Sequence, residues 1–208
     1  MDKQFEEKYI DKELNEIGKR IKKQINIYLI GGASMSFRNL KESTKDIDIV
    51  FANKEDCDIF RDALFGAQYY EPITIKSEYK ELEAIKIYEN KDGFTLDLFI
   101  KHVLRKLEIT NSMIKRSELH KIYGNLSVYL LSKEDIFLFK GLASENRHRD
   151  LDDMRVLYPN LKWDAIVQEL ESQKRSEFLR EWFVRRLEKF IETYGLDVPI
   201  LNKLKKKE

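Results

Sequence analysis

Residues 25–51 read INIYLIGGASMSFRNLKESTKDIDIVF. An apolar run, INIYLI, stops at the pair Gly31–Gly32, and a gap of thirteen residues (33–45) then leads to Asp46-Ile47-Asp48 at the head of a second apolar run. On a strand, residues i and i+2 point to one face. Asp46 and Asp48 therefore project together, with Cα atoms about 6.6 Å apart, while Ile47 and Ile49 enter the core on the opposite face. Two carboxylates at that separation repel by roughly 2–3 kcal/mol at an effective dielectric near 20. A chain that keeps both ionised calls for a cation between them. Hard oxygen donors suit Mg²⁺ (or Mn²⁺), which takes one or two carboxylates and completes its shell with substrate phosphates.

The glycine pair supplies the complementary half. Where a strand ends in Gly-Gly and opens into a short helix, here ASMSFRNL, backbone N–H groups approach an anion with no Cβ in the way. Ser34 adds a hydroxyl. Gly31, Gly32, Ser34 and Lys45 are accordingly the expected nucleotide-binding residues at this end. A third carboxylate is expected nearby to complete the metal ligation and to activate a nucleophile. Asp97 fits: it is the only acid in the apolar strand FTLDLFI, where a buried carboxylate is costly without a partner or metal. Asp46, Asp48 and Asp97 are thus the candidate catalytic and metal-binding residues of a nucleoside-triphosphate site.

Outward from this stretch, Phe5, Ile10, Leu14, Ile17 and Ile21 recur at helical spacing, giving a first helix of roughly twenty residues. KEDCDIFRDALFGA reads as a helix closing near Gly66. EPITI, LEAIKIY and FTLDLFI read as strands, the last two joined by a tight turn at Asn90-Lys91-Asp92-Gly93. KHVLRKLEITNSMIKRSEL reads as helical at least in part, and HKIY with NLSVYLL as a hairpin around Gly124–Asn125. From Ser132 the pattern turns to helix, opening on a capping-box-like Ser132…Asp135. RDLDDMRVLY, Trp163–Ser172 and Glu177–Tyr194 follow. Phe178, Trp182, Phe183, Leu187, Phe190 and Ile191 line the apolar side of the last of these, and Gly195 ends it. The expected organisation is an α/β domain over residues 1–131 and a helical subdomain over 132–208.

Composition sets outer bounds. The 208 residues are 42% hydrophobic with eight Gly and three Pro, enough for a packed core. Thirty-eight Lys and Arg against thirty-seven Asp and Glu leave a net charge of +1, so no global field attracts nucleic acid or membrane. The one cysteine, Cys57, excludes an intramolecular disulfide and a cysteine metal cluster, and its place on an acidic helix reads as inert. With no secretory-type start and no long apolar run, the expected location is the cytoplasm, without membrane contact.

The run LIGGASMSFRNLKESTKDIDIV resembles the signature of the polymerase-β-like nucleotidyltransferases, in which Gly followed by Gly or Ser precedes an acid–apolar–acid triplet. Gly31, Gly32, Asp46 and Asp48 fall on that signature, and Asp97 falls where the family carries a third Asp on a later strand. LSKEDIFLFKGLASENRHRDLDDM is similar to the helical segment of AbiEii-type and related nucleotidyltransferases, with Lys140, Arg149, Asp150 and Asp153 at the matching positions. Together these stretches touch residues 27–51, 94–99 and 132–157. The resemblance implies an α/β (α+β) fold with a nucleotidyltransferase-type mixed sheet and a C-terminal helical subdomain. It implies that Lys140 contacts nucleotide phosphate and that Asp150 orders the site. Two departures stand out: Gly32 replaces a Ser that would donate to phosphate, and Lys41 stands where relatives carry Arg, losing a bidentate contact.

The activity so implied is Mg²⁺-dependent transfer of an NMP group from an NTP to a hydroxyl of RNA or tRNA, a protein or a small molecule, with toxin-like action among the options. A dinucleotide-binding Rossmann domain is a different reading, but its G-x-G-x-x-G spacing would need glycine at Ala33 and Ser36. A non-catalytic nucleotide-binding or regulatory member of the fold, as half of a toxin–antitoxin pair, is a third. The nucleotide base, the acceptor and the oligomeric state are not written in the sequence.

Overall fold

The computed structural model describes residues 3–72, 86–103, 107–143 and 148–206. The chain divides into two compact units, Met1–Arg105 with Ile109–Leu131, and Lys106–Glu108 with Ser132–Glu208. The first contains strands β1 (Phe5–Glu6), β2 (Ile25–Ile30), β3 (Ser43–Thr44), β4 (Asp46–Phe51), β5 (Lys86–Glu89), β6 (Thr95–Ile100) and β7 (His102–Val103). After β8 (Leu107–Glu108), which belongs to the second unit, it resumes with β9 (Glu118–Tyr123) and β10 (Leu126–Leu130). Its helices are α1 (Glu7–Gly18), α2 (Gly31–Ser36), α3 (Lys54–Gly66) and α4 (Asn111–Arg116).

Six strands form one mixed sheet in the order β5-β6-β4-β2-β10-β9. The pairs β4–β6 and β2–β10 are parallel, and β5–β6, β2–β4 and β9–β10 are antiparallel. Alternation along each strand divides the sheet into two faces. Ile47 and Ile49 of β4, Leu96 and Leu98 of β6, and Ile27 and Leu29 of β2 join a buried apolar cluster with Ile10, Leu14 and Ile17 of α1 and Phe60 and Leu64 of α3. Burial of such side chains is worth about 1.5–3 kcal/mol apiece, so this face fixes the register of every strand beneath the helices.

The first helix is shorter than its periodicity predicts. Phe5 lies in β1 instead, paired with Thr44, and the helix stops at Gly18, where an added Cβ would meet the Tyr123 carbonyl oxygen at 2.3 Å. The α1 terminus is thus packed directly on β9. Helix α3 starts where Asn53 accepts a hydrogen bond from the Asp56 amide at 2.8 Å, a side-chain cap with acids in the first turn. Among the described residues of KHVLRKLEITNSMIKRSEL, Asn111–Arg116 is helical, capped by Thr110, while His102–Val103 and Leu107–Glu108 are extended. Of the strand expected at EPITI, Glu71 and Pro72 are not in a strand; its remaining residues and the first four of LEAIKIY fall within 73–85, outside the described residues.

The second unit is helical, with α5 (Lys133–Leu142), α6 (His148–Leu157), α7 (Trp163–Ser172), α8 (Ser176–Tyr194) and α9 (Leu201–Lys205). Ser132 caps α5, accepting from the Asp135 amide at 3.2 Å and donating to the Asp135 carboxylate at 2.7 Å. The Phe137 ring stands edge-on to Trp163, Phe183 and Phe190, an aromatic arrangement favoured by ring quadrupoles. Helices α5 and α8 approach closely at Gly141, where a Cβ would lie 2.3 Å from Phe183 Cε2. The buried stripe of α8 is Leu179, Phe183, Leu187 and Phe190, whereas Phe178 is 50% exposed. Phe183, Leu187 and Phe190 of the expected apolar side are buried and Trp182 and Ile191 half-buried, with Leu179 joining them in place of Phe178. Among the described residues no helix is long and apolar enough to cross a membrane.

Candidate functional site

The carboxylates lie on the sheet face opposite α1 and α3. Because β4 and β6 run parallel in the register Asp46↔Thr95 and Asp48↔Asp97, Asp97 sits directly beside Asp48, one inter-strand spacing of about 4.8 Å away. Asp46, Asp48 and Asp97 consequently share one face. Asp97 is fully buried, and Asp46 and Asp48 are half-buried at the start of their strand. Like charges placed directly opposite on neighbouring strands are destabilising unless neighbouring groups compensate them.

The register of β2 brings in the glycines. Ile30 pairs with Asp48, and the residue after Ile30 is Gly31, with φ +65°. A Cβ there would stand 2.0 Å from Asp48 Oδ2. Gly31 is thus required twice, for its backbone conformation and for the carboxylate laid against it. At Gly32 a Cβ would stand 2.6 Å from Thr44 Oγ1 and 3.8 Å from Lys41 Nζ. The glycine pair is therefore a Cβ-free cradle with Asp48 on one side and a hydroxyl and an ammonium on the other.

Sequence reasoning assigned no role to Thr44 and treated Lys41 as a weakened substitute. Both stand at Gly32, brought there by the loop between α2 and β4, whose last residues form β3 and pair with β1. The signal available in sequence was the short spacing of Lys41 and Thr44 before Asp46. Lys45, between Thr44 and Asp46, is half-buried. Ser34 is fully buried, and its Oγ accepts a hydrogen bond from Arg38 Nη1 at 2.7 Å. Arg38 Nη2 also donates to the Leu131 carbonyl at 2.7 Å, so Ser34 and Arg38 tie α2 to the end of β10.

Lys140 and Asp150 belong to the helical unit. Lys140 Nζ lies 2.7 Å from Asp150 Oδ1 and 2.8 Å from Asp153 Oδ2, with all three residues buried. Burial by itself lowers the lysine pKa, but Asp150 and Asp153 outweigh it, and the net direction is upward. The ammonium stays charged and is directed at carboxylates. Cys57 is buried, and desolvation pushes its thiol up to about 11, which suppresses the reactive thiolate.

The chemistry of the donor set, carboxylate oxygens and a hydroxyl, is that which suits a hard cation. Sharing a face is a looser condition than converging on one point. Among the described residues no three His, Cys, Asp or Glu side chains form a metal-holding group as they stand, and the Asp48 carboxylate is turned toward Gly31. Two carboxylates and substrate phosphates are enough for Mg²⁺.

No protein-family model matches the chain, and no curated protein matches it. Among solved structures it is similar to JHP933 from Helicobacter pylori, with a TM-score of 0.43, 16% identity, and 96% of this chain and 84% of that one covered. It is also similar to a candidate nucleotidyltransferase from H. pylori, with a TM-score of 0.42, 17% identity, and 94% and 85% covered. Likenesses this distant transfer no function.

Proposed function

We propose that the sheet unit is the catalytic part of an Mg²⁺-dependent nucleotidyltransferase that moves an NMP group from an NTP to an acceptor hydroxyl. The observation that carries this reading is the register: Asp48 opposite Asp97, Asp46 on the same face, and Gly31 against Asp48. Carboxylates gathered beside backbone without Cβ atoms suit the joint binding of a divalent cation and a polyphosphate. In this reading Asp46 and Asp48 would hold the cation, which would supply charge neutralisation for the substrate phosphates. Asp97, buried beside Asp48, would complete the carboxylate set that holds the cation. Gly31 and Gly32 admit the phosphates, Lys41 offers them a cation, and Lys45 flanks the same entry. Most of the acceleration comes from alignment and charge neutralisation. Lys140, Asp150 and Asp153 act in this reading as the internal ion cluster of the helical unit.

Calorimetric titration with Mg²⁺ and a non-hydrolysable NTP tests the first step. The wild type binds only with the metal present, and an Asp46→Asn/Asp48→Asn double variant loses at least about a hundredfold in affinity. Equal binding by the two proteins sinks the assignment. The acceptor is found by incubating the protein with each α-labelled NTP plus total RNA, a protein fraction or small metabolites, and following which fraction gains label. Label in RNA supports toxin-like action on an RNA 3′ end.

A further inference from the structure

Thr44 lies where the cradle, the first carboxylate and the N-terminal segment meet. It is 4% exposed. Its Oγ1 donates to the Asp46 carbonyl at 3.2 Å and lies 3.5 Å from Asp46 Oδ1, and it fills the space that a Cβ on Gly32 would take. The hydroxyl therefore touches both halves of the site: the residue that turns the chain into β4 and the second glycine of the cradle.

The backbone of Thr44 is fixed from outside. Strand β3 pairs antiparallel with β1, Phe5 opposite Thr44 and Glu6 opposite Ser43. Phe5 is buried, with its ring centroid 4.7 Å from that of Phe94 and 4.6 Å from that of Tyr9. Phe94 immediately precedes β6, the strand of Asp97. In the same region Lys3 Nζ donates to the Asp92 carbonyl at 3.2 Å and Tyr9 Oη to the Asp92 carboxylate at 2.8 Å. Residues 3–9 thus span the lead-ins of both carboxylate strands, and Asp46 and Thr95, the first residues of those strands, are register partners.

We infer that Thr44 is a positioning residue of the carboxylate site, holding Asp46 in its cation-binding orientation from the gap left by Gly32, with the Phe5–Glu6 strand keeping it in place. The inference rests on the nucleotidyltransferase reading and adds to it a residue and a strap. Thr44 takes no part in bond making. Its hydroxyl fixes the backbone turn that aims Asp46, and its position explains why residue 32 carries no side chain.

The test compares wild type, Thr44→Val, which keeps the shape and removes the hydroxyl, and Thr44→Ser, which keeps the hydroxyl. Mn²⁺ affinity in the presence of a non-hydrolysable NTP is measured by titration, and Tm is measured alongside. A lost hydrogen bond that orders a charged ligand corresponds to about a tenfold loss of affinity, so Thr44→Val binds Mn²⁺ about tenfold more weakly while Thr44→Ser stays within about twofold. Phe5→Ala moves Mn²⁺ affinity in the same direction as Thr44→Val. Wild-type binding with an undiminished Thr44→Val overturns the inference alone. Absence of metal-dependent nucleotide binding in the wild type overturns the underlying reading, and the inference with it. If Thr44→Val does not fold, Gly32→Ala is compared in the wild-type and Thr44→Ala backgrounds by thermal unfolding. A smaller Tm loss in the second background supports the placement, and additive losses overturn it.

Discussion

The two units each gather acidic side chains, and they resolve the resulting repulsion differently. In the helical unit Asp150 and Asp153 share Lys140, which lies within 2.8 Å of both. The chain there supplies its own counter-charge and buries it. In the sheet unit Asp48 and Asp97 are register partners on adjacent strands, with Asp46 two residues along on the same face. Beside them the chain keeps two glycines where a larger residue would fill the space. The helical cluster carries a counter-charge of its own on Lys140. The sheet carboxylates lie beside a backbone without Cβ atoms, where Asp48 and Thr44 take up the space next to the glycines. The difference teaches that carboxylate number says little, and that what lies next to the carboxylates decides the use.

Different responses to charge removal break or sharpen this contrast. Lys140→Met removes the centre of the helical cluster and leaves two buried carboxylates facing each other. Breaking a buried pair in this way costs about 3–5 kcal/mol, the largest effect expected, and urea unfolding reads it as a lowered midpoint. Adding Asp150→Asn and Asp153→Asn recovers part of the loss. In the sheet unit the expected loss is of binding rather than of stability. Asp48→Asn removes metal-dependent nucleotide binding and lowers Tm by less than Lys140→Met does. An Asp48→Asn protein destabilised as much as Lys140→Met would mean that this acid is part of the structural framework and would erase the distinction between the clusters.

Much of this was legible in the sequence because period-2 alternation is a strong signal. DIDIVF and FTLDLFI state which residues share a face once they are strands, and INIYLI followed by Gly-Gly states where β2 ends. The pairing of β4 with β6 is a tertiary outcome. No local pattern says that Asp97 comes to rest beside Asp48 rather than beside β2, and the register follows from burying Leu96 and Leu98 under the same helices as Ile47 and Ile49. Phe5 was read as the first turn of α1 because its spacing fits a helix. It is a strand residue because pairing with Thr44 and packing on Phe94 outweigh one turn of propensity. On α8, Leu179 replaces Phe178 on the buried face because it lies one helical turn before Phe183, the residue seated by the close approach at Gly141. The roles of Lys41 and Thr44 were hidden for another reason: a loop brings them to Gly32, and loops carry no periodicity.

The smallest effect concerns pH, and it is confined to the sheet unit. His120 on β9 packs against Phe37, the residue that ends α2, with ring centroids 4.1 Å apart. Burial lowers its pKa below the ordinary value of 6.5, an effect that Glu7 and Asp11 oppose and Lys121 and Arg38 reinforce. The unfolded chain therefore takes up the proton first as pH falls. Stability associated with neutral His120 is complete above about pH 6.5 and is lost as pH drops through the folded-state pKa. Since the ring is only partly buried, solvent screening keeps the loss small, about 1–2 °C in Tm between pH 7.5 and 5. His120→Gln removes that component of the pH dependence and leaves the carboxylate contribution in place. Because Phe37 directly follows the helix that starts at Gly31, the protonated imidazole acts on the far end of α2. Urea unfolding of wild type and His120→Gln from pH 7.5 to 5 checks the sign. A wild type that gains stability relative to the variant as pH falls would show that Glu7 and Asp11 govern His120, and that the end of α2 is held by charge rather than by ring packing.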